Sequence, residues 1–519
     1  NWEGYVERGR TEQRFSIFNM TDRPNLAAAI NVIAGPGGVP ICGPLATNPN
    51  LAAADIAIVE PGCVPFNVFG QGNTAQAVDY VTNNASALYA IDQTTAGFSV
   101  SGDAFDLPAG PASVALGGEW RKDAVNAEGD ARSKVAANQS GSAPTYSGAQ
   151  SVKEAFIEVG VPLLKDIPLA YTLDLNGAFR RTDYQLSGAV STWKIGATWE
   201  PVASIRLRAT KSRDIRAPSI AELFAPRGSG GSNNIFNPFT NLSGRITTIS
   251  GGNPELQPEI ADSITAGIVL QPTVSLLSGL RTSFDYFSIN MTGVIGSISA
   301  PDTIQRCFNG NKALCANIVF DKSAFGIFSV SGLAYNQASL KTRGYDIEVA
   351  YRVPLDRLPL EVPGRLDIRS LTTLVKSIEV GDGTVVTEKA GFANGGMPKV
   401  VGSVLLNYQI NRLNLSLTAR YFSDIHWDPA LIGPDDPKYN PAASNSINRN
   451  LFPGQALFNV AFQYDLVARD RRGLQVFGTV NNLFDRQPNI QGAIAFNQNS
   501  PQLYDTVGRY YRLGLRFSY

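Results

Sequence analysis

Residues Tyr510 to Tyr519 read Tyr-Tyr-Arg-Leu-Gly-Leu-Arg-Phe-Ser-Tyr. In an extended chain Tyr511, Leu513, Leu515, Phe517 and Tyr519 fall on one face, and Arg512, Gly514, Arg516 and Ser518 on the other. Strict alternation of this kind marks a strand with one apolar and one polar face. The last strand of a membrane β-barrel has this form, because it meets lipid outside and water inside.

The same alternation recurs along the chain. Val114, Leu116 and Trp120 mark one strand. Tyr171, Leu173, Leu175 and Phe179 oppose Thr172, Asp174, Asn176 and Arg180. Leu413, Leu415, Leu417 and Tyr421 oppose Asn414, Ser416, Thr418 and Arg420. Phe458, Val460, Phe462 and Tyr464 oppose Asn459, Ala461, Gln463 and Asp465. About sixteen such segments reach the ~10 residues that a tilted strand needs to cross a bilayer. A large soluble all-β protein is the bland alternative, but a propeller would show a repeat of roughly 40–50 residues, and none is visible.

Composition agrees. The chain has 519 residues with 17% charged, and Lys+Arg and Asp+Glu are both 44. That balance lacks the basic surface a nucleic-acid partner requires. Mean hydropathy is −0.06, and no apolar run is long enough for a transmembrane helix. Abundant Gly (49), Tyr (18) and Phe (26) suit apolar faces diluted by alternation. No composition shift or linker divides the chain, so residues 1–519 read as one barrel portion.

The connections alternate in length. Short ones fall at Asp106–Pro111, Leu164–Pro168, Glu200–Ala203, Leu270–Gly279, Pro354–Gly364, Gln409–Arg412 and Ala468–Gly473. Long ones fall at Asn19–Ser86, Asp123–Gln150, Asp214–Glu259, Gly293–Gln337, Val380–Lys399, Ser423–Pro453 and Asp485–Tyr504, with one brief exception near Asp183. Outer-membrane barrels have short periplasmic turns and longer extracellular loops. With Tyr519 in the periplasm, every long loop lies outside the cell.

The four cysteines, Cys42, Cys63, Cys307 and Cys315, sit in long loops without a Cys-x-x-Cys or a nearby histidine. Metal is therefore not expected. Two local disulfides, Cys42–Cys63 and Cys307–Cys315, are expected, implying an oxidising compartment; four free thiols are the alternative. Asn1 enters strand-like sequence directly, without a signal peptide, as in a mature or cleaved chain.

Several stretches carry a family resemblance. Lys211-Ser-Arg-Asp-Ile-Arg-Ala-Pro-Ser-Ile-Ala-Glu-Leu-Phe224, Gly252-Asn-Pro-Glu-Leu-Gln-Pro-Glu259 with Asp262 and Ser263, and Val480-Asn-Asn-Leu-Phe-Asp-Arg-Gln-Pro488 with the aromatic end at Tyr519 resemble TonB-dependent receptors. Cys63-Val-Pro-Phe-Asn-Val-Phe-Gly70, followed by Ala77 to Val81, resembles a loop of a proteobacterial branch of that family. The resemblance implies a receptor of the Gram-negative outer membrane, with a barrel of about 22 strands plugged by an N-terminal domain. It also implies a TonB-binding box, inner-membrane energy, and a terminal aromatic (Phe517, Tyr519) read by the barrel-assembly machinery. Here the plug, the box and about six strands are missing, so an N-terminal companion segment is expected to complete the barrel. The motifs read as scaffold and not as solute contacts.

No catalytic residue is expected. His426, the single histidine, lies in Ser423-Asp-Ile-His-Trp-Asp428, and a hydrolase would need Ser, His and Asp to converge there. Candidate solute contacts are the loop aromatics Phe236, Phe239, Tyr335, Trp427 and Tyr439, with Phe452 and Tyr504 as further loop rings; a membrane-interface girdle or loop self-packing is the alternative for each. The lumen-facing Arg180, Arg420, Arg512 and Arg516 would hold a plug or guide an anion. Gly228-Ser-Gly-Gly-Ser-Asn-Asn234 reads as a flexible loop tip. The expectation is TonB-dependent uptake of a scarce solute such as a siderophore or oligosaccharide, without a cofactor. A passive sixteen-stranded porin is the runner-up, and an outer-membrane hydrolase the third reading.

Overall fold

The computed structural model describes the chain except residues 52, 136, 139–142, 232–234, 275–276, 356–361, 384, 394, 470–471, 488–506 and 519. One antiparallel sheet dominates it. Its staves are β1 (Trp2–Thr21), β2 (Thr82–Leu107), β3 (Gly110–Gly129), β4 (Tyr146–Ile167), β5 (Ala170–Tyr184), β6 (Gly188–Val202), β7 (Ile205–Arg216) and β8 (Glu259–Leu270). They continue as β9 (Leu280–Gly296), β10 (Tyr335–Pro354), β11 (Arg365–Gly381), β12 (Val400–Ile410), β13 (Leu413–Phe422), β14 (Gln455–Arg469), β15 (Arg472–Asn481) and β16 (Tyr510–Ser518). Each pairs with the next in an unbroken meander. A short ribbon, Val386–Glu388, folds back on β11 as the seventeenth strand of the sheet. Among the described residues no helix is long and apolar enough to cross a membrane.

The register sorts the two faces as the alternation requires. Leu116, Ile157 and Phe179 lie side by side on β3, β4 and β5, and are 50%, 40% and 47% exposed. On the opposite face Arg180 bonds Glu154 at 2.9 Å and lies over the Phe156 ring. Large apolar side chains that stay exposed in a continuous band are the mark of a lipid-facing surface. The polar face carries further ion pairs, among them Arg208–Asp285 at 2.7 Å and Arg352–Asp367 at 2.6 Å. Arg516 donates to Gln475 on this face at 3.2 Å, and the Arg512 guanidinium lies over the Tyr510 ring. The polar wall also has aromatic rings laid flat over glycines. Phe156 covers Gly117 so closely that a Cβ there would sit 2.5 Å from the ring.

The connections sort as the sequence predicts. One end has tight turns, such as Asn411-Arg412 with Asn411 in the left-handed region (φ 47°). Asparagine tolerates that conformation better than most residues. The other end has eight loops: L1 (22–81), L2 (130–145), L3 (185–187), L4 (217–258), L5 (297–334), L6 (382–399), L7 (423–454) and L8 (482–509). The staves run further than expected: β3 continues six residues past Asp123 to Gly129, and β4 starts at Tyr146, not Gln150. The charges at their upper ends did not stop the strands, because they find partners along the wall: Gln93 donates to Asp123 at 2.7 Å. Among the described residues no pairing joins β1 to β16, and both edge strands are exposed along nearly their whole length.

Candidate functional site

The loops form a crown of folded pieces. L1 starts with α1 (Arg23–Ile30) and ends with α2 (Ala75–Val81), capped by Asp22 and Thr74. The Cys42–Cys63 disulfide closes the stretch between them. In L2, Asp130 caps α3 (Ala131–Lys134). Burial pushes the Asp130 carboxyl up, but the amides of Ser86, Ser133 and Arg132 outweigh it and hold the group below the usual carboxylate range. Arg132 joins the two loops. Its Nε and Nη2 reach the Asp22 carboxylate at 2.6 and 2.5 Å, and its Nη1 reaches the Ile58 carbonyl at 2.8 Å. Asp22 is 1% exposed and also accepts from Asn83 and from the Asn25 amide.

L4 and L5 fold together into one lobe. Four short strands, Gly228–Gly231, Thr247–Ser250, Ile327–Ser331 and Ile318–Phe320, make a small sheet drawn from both loops. The segment expected as a flexible tip is therefore partly a strand: Gly228–Gly231 pairs with Thr247–Ser250, while 232–234 lie outside the described residues. Ile235, Ile246, Ile304, Ile318, Ile327 and Val330 form a core beneath, with Cys307 buried among them. The Cys307–Cys315 disulfide fastens α5 (Ala300–Phe308) to α6 (Lys312–Cys315). Of the predicted aromatics, Phe239 packs edge to face on Phe308 (5.1 Å) and Phe320 (5.6 Å), so it is engaged within the lobe and still 45% exposed. Phe236 is half-exposed on the short strand Ile235–Asn237. Tyr335 opens β10 at the foot of L5 and lines a cleft between the two loops with Arg227, Asn253, Glu255, Asn317 and Ser331. Of these, only Tyr335 is a solute-contact candidate by sequence; Asn253 and Glu255 belong to the Gly252–Glu259 motif read as scaffold, and Arg227, Asn317 and Ser331 are loop residues that reach the cleft from the two loops.

The quoted motifs brace this lobe. Ser219 and Glu222 form a reciprocal capping box on α4 (Ile220–Phe224). Arg216 donates to Glu259 at 2.6 and 2.7 Å and to Glu222 at 3.0 and 3.1 Å, tying the end of β7 to the start of β8. Partial burial pushes the Glu222 carboxyl up, yet Arg216 and the Ser219 amide and hydroxyl prevail and hold it low. Asn253 donates its backbone N–H to Glu222, and Gly252 donates to Ala225. At the top of β15, Asn482 (1% exposed) accepts from and donates to the Arg486 backbone, closing the turn of the third motif.

L6 is held from both sides. Arg306 of α5 bonds Asp382, which raises the guanidinium pKa further. Gly391 and Ala393 exchange backbone hydrogen bonds with His426 of L7. The His426 ring meets Asp435 at 3.1 Å and the Phe392 ring at 5.7 Å. Ser423 instead accepts from the Val400 amide, so among the described residues no serine engages His426. Trp427 and Tyr439 lie in turns of L7, where the Trp427 amide donates to Asn450. Phe452 pairs through its backbone with Ile425, under Arg449. Tyr504 and Tyr519 lie outside the described residues. The crown thus places Phe236, Phe239 and Tyr335 in one lobe and Trp427, Tyr439 and Phe452 in another loop.

Comparison with known proteins matches this architecture. The family described as TonB dependent receptor-like, beta-barrel, matches residues 61–483. A mutant ferric enterobactin receptor (PfeA) of Pseudomonas aeruginosa, in complex with enterobactin, superposes with a TM-score of 0.56 at 15% identity, covering 85% of this chain and 60% of the other. The siderophore receptor PirA of Acinetobacter baumannii gives 0.52 at 13%, covering 84% and 60%. The chain thus spans about 60% of the length of these receptors. No curated protein sequence matches it.

Proposed function

This chain belongs to the TonB-dependent receptor β-barrel family, and on that premise we propose that it forms most of the barrel wall of an outer-membrane transporter. It takes up a scarce solute at the expense of inner-membrane energy delivered through TonB. The observation that carries this is the family match across residues 61–483, which runs from L1 to the top of β15. Residues 1–519 are wall and crown. A companion segment supplies the plug, the TonB-binding box and the strands that cover the edges of β1 and β16. A passive porin would pair β16 with β1, a pairing absent among the described residues.

In this mechanism the crown captures the solute, and displacement of the plug opens the lumen along the polar wall. Phe236, Phe239, Tyr335, Trp427 and Tyr439 supply ring surface for capture. Phe517, with Tyr519, is the assembly signal of the last strand. Siderophore receptors share the fold, so a ferric siderophore is one candidate solute and an oligosaccharide another. In the native host, deleting this receptor and deleting TonB should give the same growth defect on the same limiting nutrient. Dissipating the proton gradient should abolish uptake. Receptor-dependent uptake that persists without TonB would sink the proposal in favour of a passive pore.

A further inference from the structure

The cleft at the L4–L5 seam has a volume of about 490 Å³, within the range of small-ligand sites. Its walls are fixed by the backbone and by one side chain. Asn253 donates its amide to the Ala334 carbonyl at 2.9 Å and accepts from the Glu255 N–H at 3.0 Å. The Ser331 N–H donates to the Asn317 carbonyl at 2.8 Å. The remaining polar side chains differ from Asn253. Those of Arg227, Glu255, Asn317, Ser331 and Tyr335 have no hydrogen bond or ion pair with another described residue. Five polar side chains without such a partner, four from the two loops and Tyr335 from the start of β10, therefore line one cleft.

We propose that this cleft binds an uncharged, hydroxyl-rich segment of the solute, a saccharide or polyol. The lining decides the class. One cation (Arg227) and one anion (Glu255) leave no net charge to attract an ionic ligand, and either sign of ligand would meet a like charge. An apolar ligand would cover these groups without replacing the hydrogen bonds they make to water. A hydroxyl donates and accepts at once. It therefore suits a wall that mixes donors (Arg227), acceptors (Glu255) and groups that do both (Asn317, Ser331, Tyr335). The Tyr335 ring adds an apolar face for the C–H side of a sugar.

The proposal rests on the reading of the crown as a capture site, but its test does not need transport. The purified receptor in detergent is titrated calorimetrically with neutral gluco-, xylo-, manno- and arabino-oligosaccharides, and with oligogalacturonate and catechol as anionic and aromatic probes. At least one neutral series should bind, and Glu255→Gln and Tyr335→Phe should each weaken it about three- to tenfold. Both variants should keep the wild-type melting temperature and the Cys307–Cys315 disulfide. The inference is overturned if no neutral probe binds, if neither substitution weakens binding, or if oligogalacturonate or catechol binds more tightly. TonB-dependent uptake without such binding would remove the cleft assignment alone. Binding without TonB-dependent uptake would remove the transporter reading alone.

Discussion

Replacing Arg132 by Met tests whether L1 and L2 stand or fall on one buried ion pair. Asp22 is 1% exposed, and the Arg132 side chain is 16% exposed. Removing the guanidinium leaves a buried carboxylate with only the Asn83 amide and the Asn25 N–H as partners, and it frees the Ile58 carbonyl. Breaking a buried pair from one side costs roughly 3–5 kcal/mol. The break is local, since β1 and β2 remain paired along eighteen positions. The expected readout is hydrogen exchange of α1 and the 53–60 stretch, accelerated about a hundredfold or more at the lower limit. Arg132→Lys should recover only part of the protection, because one ammonium cannot reproduce the fork that grips Asp22 and Ile58 together. If exchange across residues 22–60 is unchanged in Arg132→Met, the pair is not what holds the loop, and the reasoning fails.

Two further outcomes are expected. Gly252→Ala places a Cβ 2.6 Å from the Ala225 nitrogen and 2.7 Å from the Leu223 carbonyl; these are backbone atoms that cannot turn aside, so the lobe should lose roughly 1–3 kcal/mol, seen as faster exchange in 219–257 with the staves unaffected. Asp130 and Glu222 are both held low, so their contributions are complete above their unfolded-state values near pH 4 and disappear as the pH falls through the lower folded values. The crown should therefore keep its exchange protection from pH 7 to 5 and lose it below about pH 4; loosening already between pH 7 and 5 would show that other groups set its acid response.

The staves were legible because a two-residue period survives any curvature of the sheet. Leu116, Phe179 and Tyr421 lie on the exposed apolar face where their alternation put them. The disulfides were legible because each closes locally, Cys42–Cys63 over 21 residues and Cys307–Cys315 over 8. The crown was not, for a physical reason. Its contacts join residues distant in sequence, such as Asp22 with Arg132 (110 apart) and Asn237 with Phe325 (88 apart), and no local period encodes such partners. Phe239 shows the consequence: the sequence marks an exposed ring, and only the lobe reveals that Phe308 and Phe320 already cover part of it. Tyr335 was found for its ring, yet its setting depends on the unspent side chains around it.

The two edge strands constrain the companion segment proposed to close the wall. Trp2 and Val6 of β1 are 76% and 79% exposed, and Leu513 of β16 is 78% exposed. Exposed apolar side chains suit lipid, but an open strand edge does not, because each unpaired backbone group in hydrocarbon costs several kcal/mol. Sixteen staves that alternate in direction leave β1 and β16 antiparallel to each other. Any segment that closes the wall as a continuous meander must then contribute an even number of strands. It must present its first strand antiparallel to β16, and its last antiparallel to β1. An odd number would force one parallel junction at the seam, against the even strand count of bacterial single-chain barrels. The requirement follows from strand direction and the absence of water in the bilayer core, whatever solute the crown admits.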